Sequence, residues 1–363
     1  MFDWIPIEVY TPTHYIILLF LVLITFIHSQ SNAINSNENF RYMKVMGWTY
    51  LIFIILYMGL RPISGVFVDM LTYNKRFVYY QNGGQITSPN DILFQVFTKI
   101  SSQFVNARIY FLLCVILYIL PLIAVSKKWF KDYWFYAFLF LVTSFSFWTY
   151  GTNGIRNGIA GSIFLWGMSR EKKIWQVIII LIAINIHKSM ALPAAAFLLA
   201  NFYNNPKVLM YFWVFCIPLS LIAGGAFINL FASIGFDERT SYLTQENVYN
   251  VEFASSGFRW DFLLYSATAV FAGWFYIFKR KYKDKIYFWL FNTYILTNAF
   301  WILVIRAQFS NRFAYLSWFM ISLVILYPLL KKYIVDKQHK KIGLLLVAYY
   351  SFTFLMNFIL VGL

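Results

Sequence analysis

Charge is what this sequence has least of: Asp, Glu, Lys and Arg make up 12% of its 363 residues, and only 14 side chains are acidic. A soluble domain of this length needs a far more polar surface, so a water-soluble fold is excluded. With 61% hydrophobic residues and mean hydropathy +0.63, the composition is that of a polytopic membrane protein. Cysteine is nearly absent, and Cys114 and Cys216 both fall in apolar runs, so neither a disulfide framework nor a cysteine metal site is expected. The remaining histidines besides His187, namely His14, His28 and His339, lie near helix ends without ligand spacing. No metal and no cofactor is expected. The start, Met1-Phe2-Asp3-Trp4, lacks a basic n-region and reads as no cleaved signal peptide. There is no internal repeat, low-complexity tract or soluble domain.

What is present is a series of apolar runs, near 14–28, 45–60, 109–125, 133–150, 155–169, 174–187, 190–203, 208–224, 261–278, 286–305, 313–330 and 342–361. Their number, twelve give or take two, predicts an all-α transmembrane domain spanning 1–363. Basic loops at every second connection, such as Lys127-Lys128-Lys131, Arg170-Glu171-Lys172-Lys173 and Lys331-Lys332 through Lys340-Lys341, mark the inner side and leave both termini outside. The net charge of +16 is thereby explained by orientation in a bilayer, and no nucleic-acid partner is expected.

The two sides differ in the kind of cation. On this topology the inner loops hold 16 of 19 lysines but only Arg41, Arg170 and Arg280 of 11 arginines. Outside lie Arg61, Arg76, Arg108, Arg156, Arg239, Arg259, Arg306 and Arg312. Lysine suffices for orientation, whereas a planar guanidinium fork suits phosphate or carboxylate. Eight arginines placed against the orientation bias point to a poly-anionic ligand. About half of them are expected to pair instead with outer acids, among them Asp69, Asp91, Asp237, Glu238, Glu246, Glu252 and Asp261.

Two outer segments are long enough for structure of their own, 61–108 and 225–260. In the first, Asn90 can cap a helix whose Ile92, Leu93, Val96, Phe97 and Ile100 form one apolar stripe, which predicts a helix lying in the membrane interface. Between the two segments, residues 150–193 form a helical hairpin joined by the basic turn at 170–173, so Arg156 and His187 share the outer side. At about 1.5 Å per residue the first helix covers only roughly 22 Å of a roughly 30 Å hydrocarbon core, so its polar start belongs in a protein-lined recess. An arginine there calls for an anion, and helix N–H groups can bind the same oxygens. His187 is the favoured general base, with Asp69 and Asp261 as alternatives that could equally pair with arginines such as Arg259. Trp148, Tyr150, Trp260 and Trp301 lie near the outer ends, as belt residues or as platforms for sugar rings.

These pieces, in this order, resemble the EpsG-like and Wzy-type polymerases of bacterial surface polysaccharide. The family's outer loop with Arg, then Asp and Tyr, looks like Arg61, Asp69 and Tyr73, followed by an interfacial helix. Its helix opening with Ile-Arg and then Gln or Asn looks like Ile155-Arg156-Asn157, its later His and Ser like His187-Lys188-Ser189, and its late Arg and Tyr like Arg312 and Tyr315. Lys188 departs from the family's usual aromatic. The resemblance implies a GT-C-like, multi-pass protein of the bacterial inner membrane with its active site facing outside. It further implies oligosaccharide repeat units on undecaprenyl diphosphate as donor and acceptor, with a chain-length regulator as a possible partner. Arg156 is the first choice for the diphosphate, followed by Arg259, Arg306 and Arg312. The rival readings are a flippase or transporter of the lipid-linked sugar, a ligase moving finished polymer, and an acyltransferase. The arginines on one side only disfavour transport, and the side on which His187 lies disfavours acyl transfer.

Overall fold

A computed structural model describes residues 2–234, 257–307 and 310–360, and every regular element among them is helical. In chain order the helices are α1 (Ile7–Ser31), α2 (Asn37–Gly59), α3 (Met70–Gln81), α4 (Ile92–Phe104), α5 (Ala107–Phe130), α6 (Trp134–Val142), α7 (Phe147–Thr152), α8 (Ile155–Met168) and α9 (Lys173–Ile186). There follow α10 (Ala191–Phe202), α11 (Pro206–Ile234), α12 (Trp260–Trp274), α13 (Lys285–Leu303), α14 (Asn311–Trp318), α15 (Ile321–Lys331) and α16 (Gln338–Phe354). Eight stretches among the described residues are long and apolar enough to cross a membrane. The twelve apolar runs condense to these because 109–125 and 133–150 belong to one stretch, Ala107–Val142, and because α8, α9 and α10 have only 14, 14 and 12 residues.

The contacts group into two compact units, Met1–His187 with Leu329–Leu363, and Lys188–Pro328. In the first, α1 lies along α16 and α2 along α5, while α8 is held between α5 and α9. Helix association in lipid has no water to drive it, so small residues and buried hydrogen bonds do the holding. Tyr10 and Tyr57 donate to each other's carbonyls at 2.6 and 2.8 Å, and Tyr350 donates to the Tyr15 carbonyl at 2.6 Å. Gly158 lets α8 meet the backbone of α7: a Cβ there would stand 2.6 Å from the Tyr150 carbonyl oxygen. All of α8 except Arg156 and Trp166 is buried, whereas α9 leaves Ile174, Trp175, Val177, Leu181 and Ile182 exposed.

Segment 61–108 folds mainly as α3 and α4, packed on each other, with α4 also touching α5 and α9. The apolar stripe of α4 is present, with Leu93 and Ile100 exposed and Ile92, Val96 and Phe97 half-buried. Phe94, Gln95, Thr98, Ser101 and Ser102 form the buried side. Such an orientation suits a helix lying against lipid, where polar groups need protein partners and apolar ones do not. Gln95 receives a hydrogen bond from Tyr80 at 3.1 Å, and Thr98 lies 3.1 Å from the Tyr110 hydroxyl.

The second unit has a polar knot at its centre. Trp213 donates to Asn298 at 2.7 Å, Asn298 to Ser266 and Ser317 at 3.2 and 3.0 Å, and Trp318 to Ser266 at 2.8 Å. Here α11 is two helices joined at a kink at Ala223, which leaves helical geometry just before Gly224 and Gly225. Most of the second outer segment, with Asp237, Glu238, Arg239, Glu246 and Glu252, lies outside the described residues.

Candidate functional site

Three elements of the first unit converge on one carboxylate. Asp91 sits just ahead of α4 in the left-handed region, φ 52° and ψ 42°, a conformation Asp tolerates better than most residues. It is therefore Asp91, and not Asn90, that takes the position before the helix, and no side-chain capping bond forms there. The loop leading to it is clamped by Gln95, whose amide donates to the carbonyls of Ser88, at 3.0 Å, and of Asn90. Asp91 is thereby turned inward and is 5% exposed.

Arg156 reaches it from the first turn of α8, donating from Nη1 to Asp91 Oδ2 at 2.6 Å. His187 reaches it from the end of α9, where the backbone turns extended after closing an N–H bond to the Ala183 carbonyl at 3.0 Å. Its Nδ1 lies 3.2 Å from Oδ1 and 3.1 Å from Oδ2 of Asp91. A carboxylate only accepts, so Nδ1 carries the proton and the lone pair of a neutral His187 is on Nε2. The Arg156 side chain keeps 27% exposure while those of Asp91 and His187 keep 5% and 8%, so the guanidinium is the solvent-facing member of the three and the carboxylate and imidazole are buried.

Tyr73, on the buried face of α3, adjoins Arg156. Burial raises its phenol above the ordinary range, and the charge and hydrogen bonding of Arg156 oppose that rise. Asp69 is exposed at the start of α3, and its N–H donates to the Asn153 side chain at 3.0 Å, three residues before Arg156. Asn157 is buried on the neighbouring position of α8. Asp69, Tyr73, Arg156, Asn157 and His187 thus gather around one end of α8, together with Asp91.

Arg61 has a different setting. It is 1% exposed, donates to the carbonyls of Met58 at 2.5 Å and Thr152 at 3.0 Å, and has its guanidinium over the rings of Phe67 and Phe111. Burial pulls its pKa down to about 10. These contacts join the end of α2 to the end of α7.

The other candidates belong to the second unit. Arg259 holds Asp261 with two bonds of 2.9 and 2.6 Å and lies 3.6 Å above the Phe262 ring, so the carboxylate of Asp261 is engaged by its neighbour. Tyr315 is within electrostatic reach of Arg259 and Arg312, and Arg306 is exposed in the turn after α13. Of the aromatics at the helix ends, Trp148, Tyr150 and Trp301 are buried and only Trp260 is exposed.

The fold and the recess define a polytopic, all-helical membrane protein in which a carboxylate, a guanidinium and an imidazole meet at one end of a short helical hairpin. Residues 44–362 match the model of the EpsG family, and the chain belongs to that family, whose members are of the polysaccharide-polymerase type. Neither the curated proteins nor the solved structures gives a match.

Proposed function

We propose that this protein polymerises undecaprenyl-diphosphate-linked oligosaccharide repeat units at the outer face of the bacterial inner membrane, without a metal. The observation that carries the reading is the sharing of Asp91 between Arg156 and His187, which puts a positioned imidazole and a guanidinium at one recess. In the reaction an acceptor hydroxyl oxygen bonds to the anomeric carbon of the donor sugar, and the bond from that carbon to the diphosphate oxygen breaks. Undecaprenyl diphosphate leaves with the bonding electron pair, and the hydroxyl proton passes to Nε2 of His187. Arg156 binds the diphosphate, where negative charge grows in the transition state, and the first N–H groups of α8 add to the same field. Asp91 fixes the imidazole tautomer and stabilises the imidazolium that forms, as a carboxylate does beneath a catalytic histidine.

Asp69 and Tyr73 border the recess on the acceptor side, with Asn157 beside Arg156. Arg259, Arg306, Arg312 and Tyr315 are proposed to serve the polyprenyl diphosphate or the growing chain. The test is reconstitution of the purified chain in nanodiscs with lipid-linked repeat units and no other protein. Polymer with stoichiometric release of undecaprenyl diphosphate supports the reading. Unchanged repeat units, together with their passage across the bilayer of proteoliposomes, would assign a flippase instead.

A further inference from the structure

At the end of the first unit opposite Arg156, the turn between α1 and α2 and the segment 329–340 line an open cavity of 650 Å³. Among the described residues four lysines line it, Lys331, Lys332, Lys337 and Lys340, and no carboxylate does. Asp336, in the same segment, is exposed and is not part of the lining. Orientation in a membrane requires lysines on this side but not a concave arrangement of them.

The walls are built rather than loose. Gln338, 5% exposed, accepts from the N–H groups of Ile334 and Val335 at 2.7 and 3.3 Å and donates to the carbonyls of Leu329 and Lys332 at 2.5 and 3.0 Å. Beside it the buried His339 donates from Nδ1 to the Asn32 carbonyl at 2.6 Å, and its Nε2 lies 2.5 Å from the Tyr136 hydroxyl. Tyr136 in turn bonds Asn39 at 2.9 Å, which takes His28 at 3.1 Å. This network ties α1, α2, α6 and α16 into one floor. At the same place α16 begins, its first turn contributing positive potential, after Lys337 turns the chain through a left-handed φ of 52°. The lysine side chains reach solvent around the rim of this fixed backbone frame, and their summed positive potential favours an anion in the concavity.

We propose that this cavity binds a phosphate-bearing ligand, which enters either as the head group of an anionic phospholipid or as a soluble phosphate compound. The volume is in the range of small-molecule sites. The site is independent of the Arg156 recess, and its occupancy does not depend on the polymerase reading.

The experiment follows the thermal unfolding midpoint of the full chain in phosphatidylcholine nanodiscs, at constant ionic strength. One arm replaces part of the lipid with phosphatidylglycerol, and the other titrates inorganic pyrophosphate. The triple variant Lys332→Gln, Lys337→Gln, Lys340→Gln is compared with Lys172→Gln, Lys173→Gln, Lys281→Gln, which removes the same charge elsewhere. A rise in midpoint with phosphatidylglycerol, lost in the cavity variant and kept in the comparator, supports the site with a lipid source. The same pattern with pyrophosphate supports a soluble one, with the half-saturating concentration raised at least about tenfold in the cavity variant. No rise in either arm, or equal loss in both variants, overturns the proposal. Should the triple variant not fold in phosphatidylcholine alone, Lys332→Gln carries the comparison on the same criteria.

Discussion

Asp91 and Arg156 stand 65 positions apart in the chain and meet at 2.6 Å, one at the approach to an interfacial helix and the other in the first turn of α8. This pairing locks the first outer segment to the hairpin, and His187 joins the same carboxylate from the hairpin's far strand of chain. Two substitutions at Asp91 separate its roles. Asp91→Ala removes the acceptor that Arg156 and the buried His187 share and is expected to destabilise by roughly 1.5–3 kcal/mol, seen as a fall in membrane protein level. Asp91→Asn keeps the shape and an acceptor for Nδ1 but removes the charge. It is expected to keep the protein level and lose polymerisation by roughly 10²- to 10⁴-fold, measured as turnover in reconstituted nanodiscs.

The path from Tyr73 to the site runs through Arg156. Tyr73→Phe removes the hydroxyl that adjoins the guanidinium while keeping the ring that packs edge-on against Phe94 at 5.7 Å. Loss of one hydrogen bond to a charged group is worth about 1.5–3 kcal/mol, so turnover is expected to fall by about ten- to a hundredfold with an unchanged melting midpoint. A drop in midpoint with normal turnover would make Tyr73 a packing residue only.

Gly158 is a packing position beside a chemical one. A methyl group there would meet the Tyr150 carbonyl at 2.6 Å, and the obstacle is backbone, which has little room to give. Gly158→Ala is expected to cost roughly 1–3 kcal/mol through overpacking and to displace the first turn of α8. Lower protein level and lower turnover per molecule should appear together, the second because Arg156 rides on that turn.

Arg61 is expected to behave in the opposite way to Arg156. With its donors directed to the Met58 and Thr152 carbonyls and aromatic rings on its faces, Arg61→Met should reduce the amount of folded protein in the membrane. Turnover per folded molecule should stay within about twofold of the native value, a change comparable to RT. A stable Arg61→Met protein without turnover would assign Arg61 to the substrate.

Hydropathy made the helices legible, and the basic turn at 170–173 was enough to bring Arg156 and His187 to one side. Asp91 was visible only as one of several outer acids. It belongs to no periodic pattern, its partners lie 65 and 96 positions away, and in one dimension the neighbouring Asn90 is the more natural cap. The stripe on α4 was readable as amphipathic and as interfacial, but which helices take up its other face, α3, α5 and α9, depends on contacts distant in the chain. Arg61 illustrates the converse problem. Next to a loop it has the look of an anion ligand, and only the fold brings the Thr152 carbonyl to its guanidinium. Arg259 and Asp261, two positions apart, could be paired from the sequence because their partner is local.

Whether Arg156 holds a diphosphate during polymerisation is read from the in-cell polysaccharide ladder of Arg156→Ala and Arg156→Lys, with membrane protein levels measured in parallel. Both variants, at normal levels, are expected to collapse the ladder to a single repeat unit, since a lysine keeps the charge but not the planar fork. A full ladder in Arg156→Ala would contradict that role.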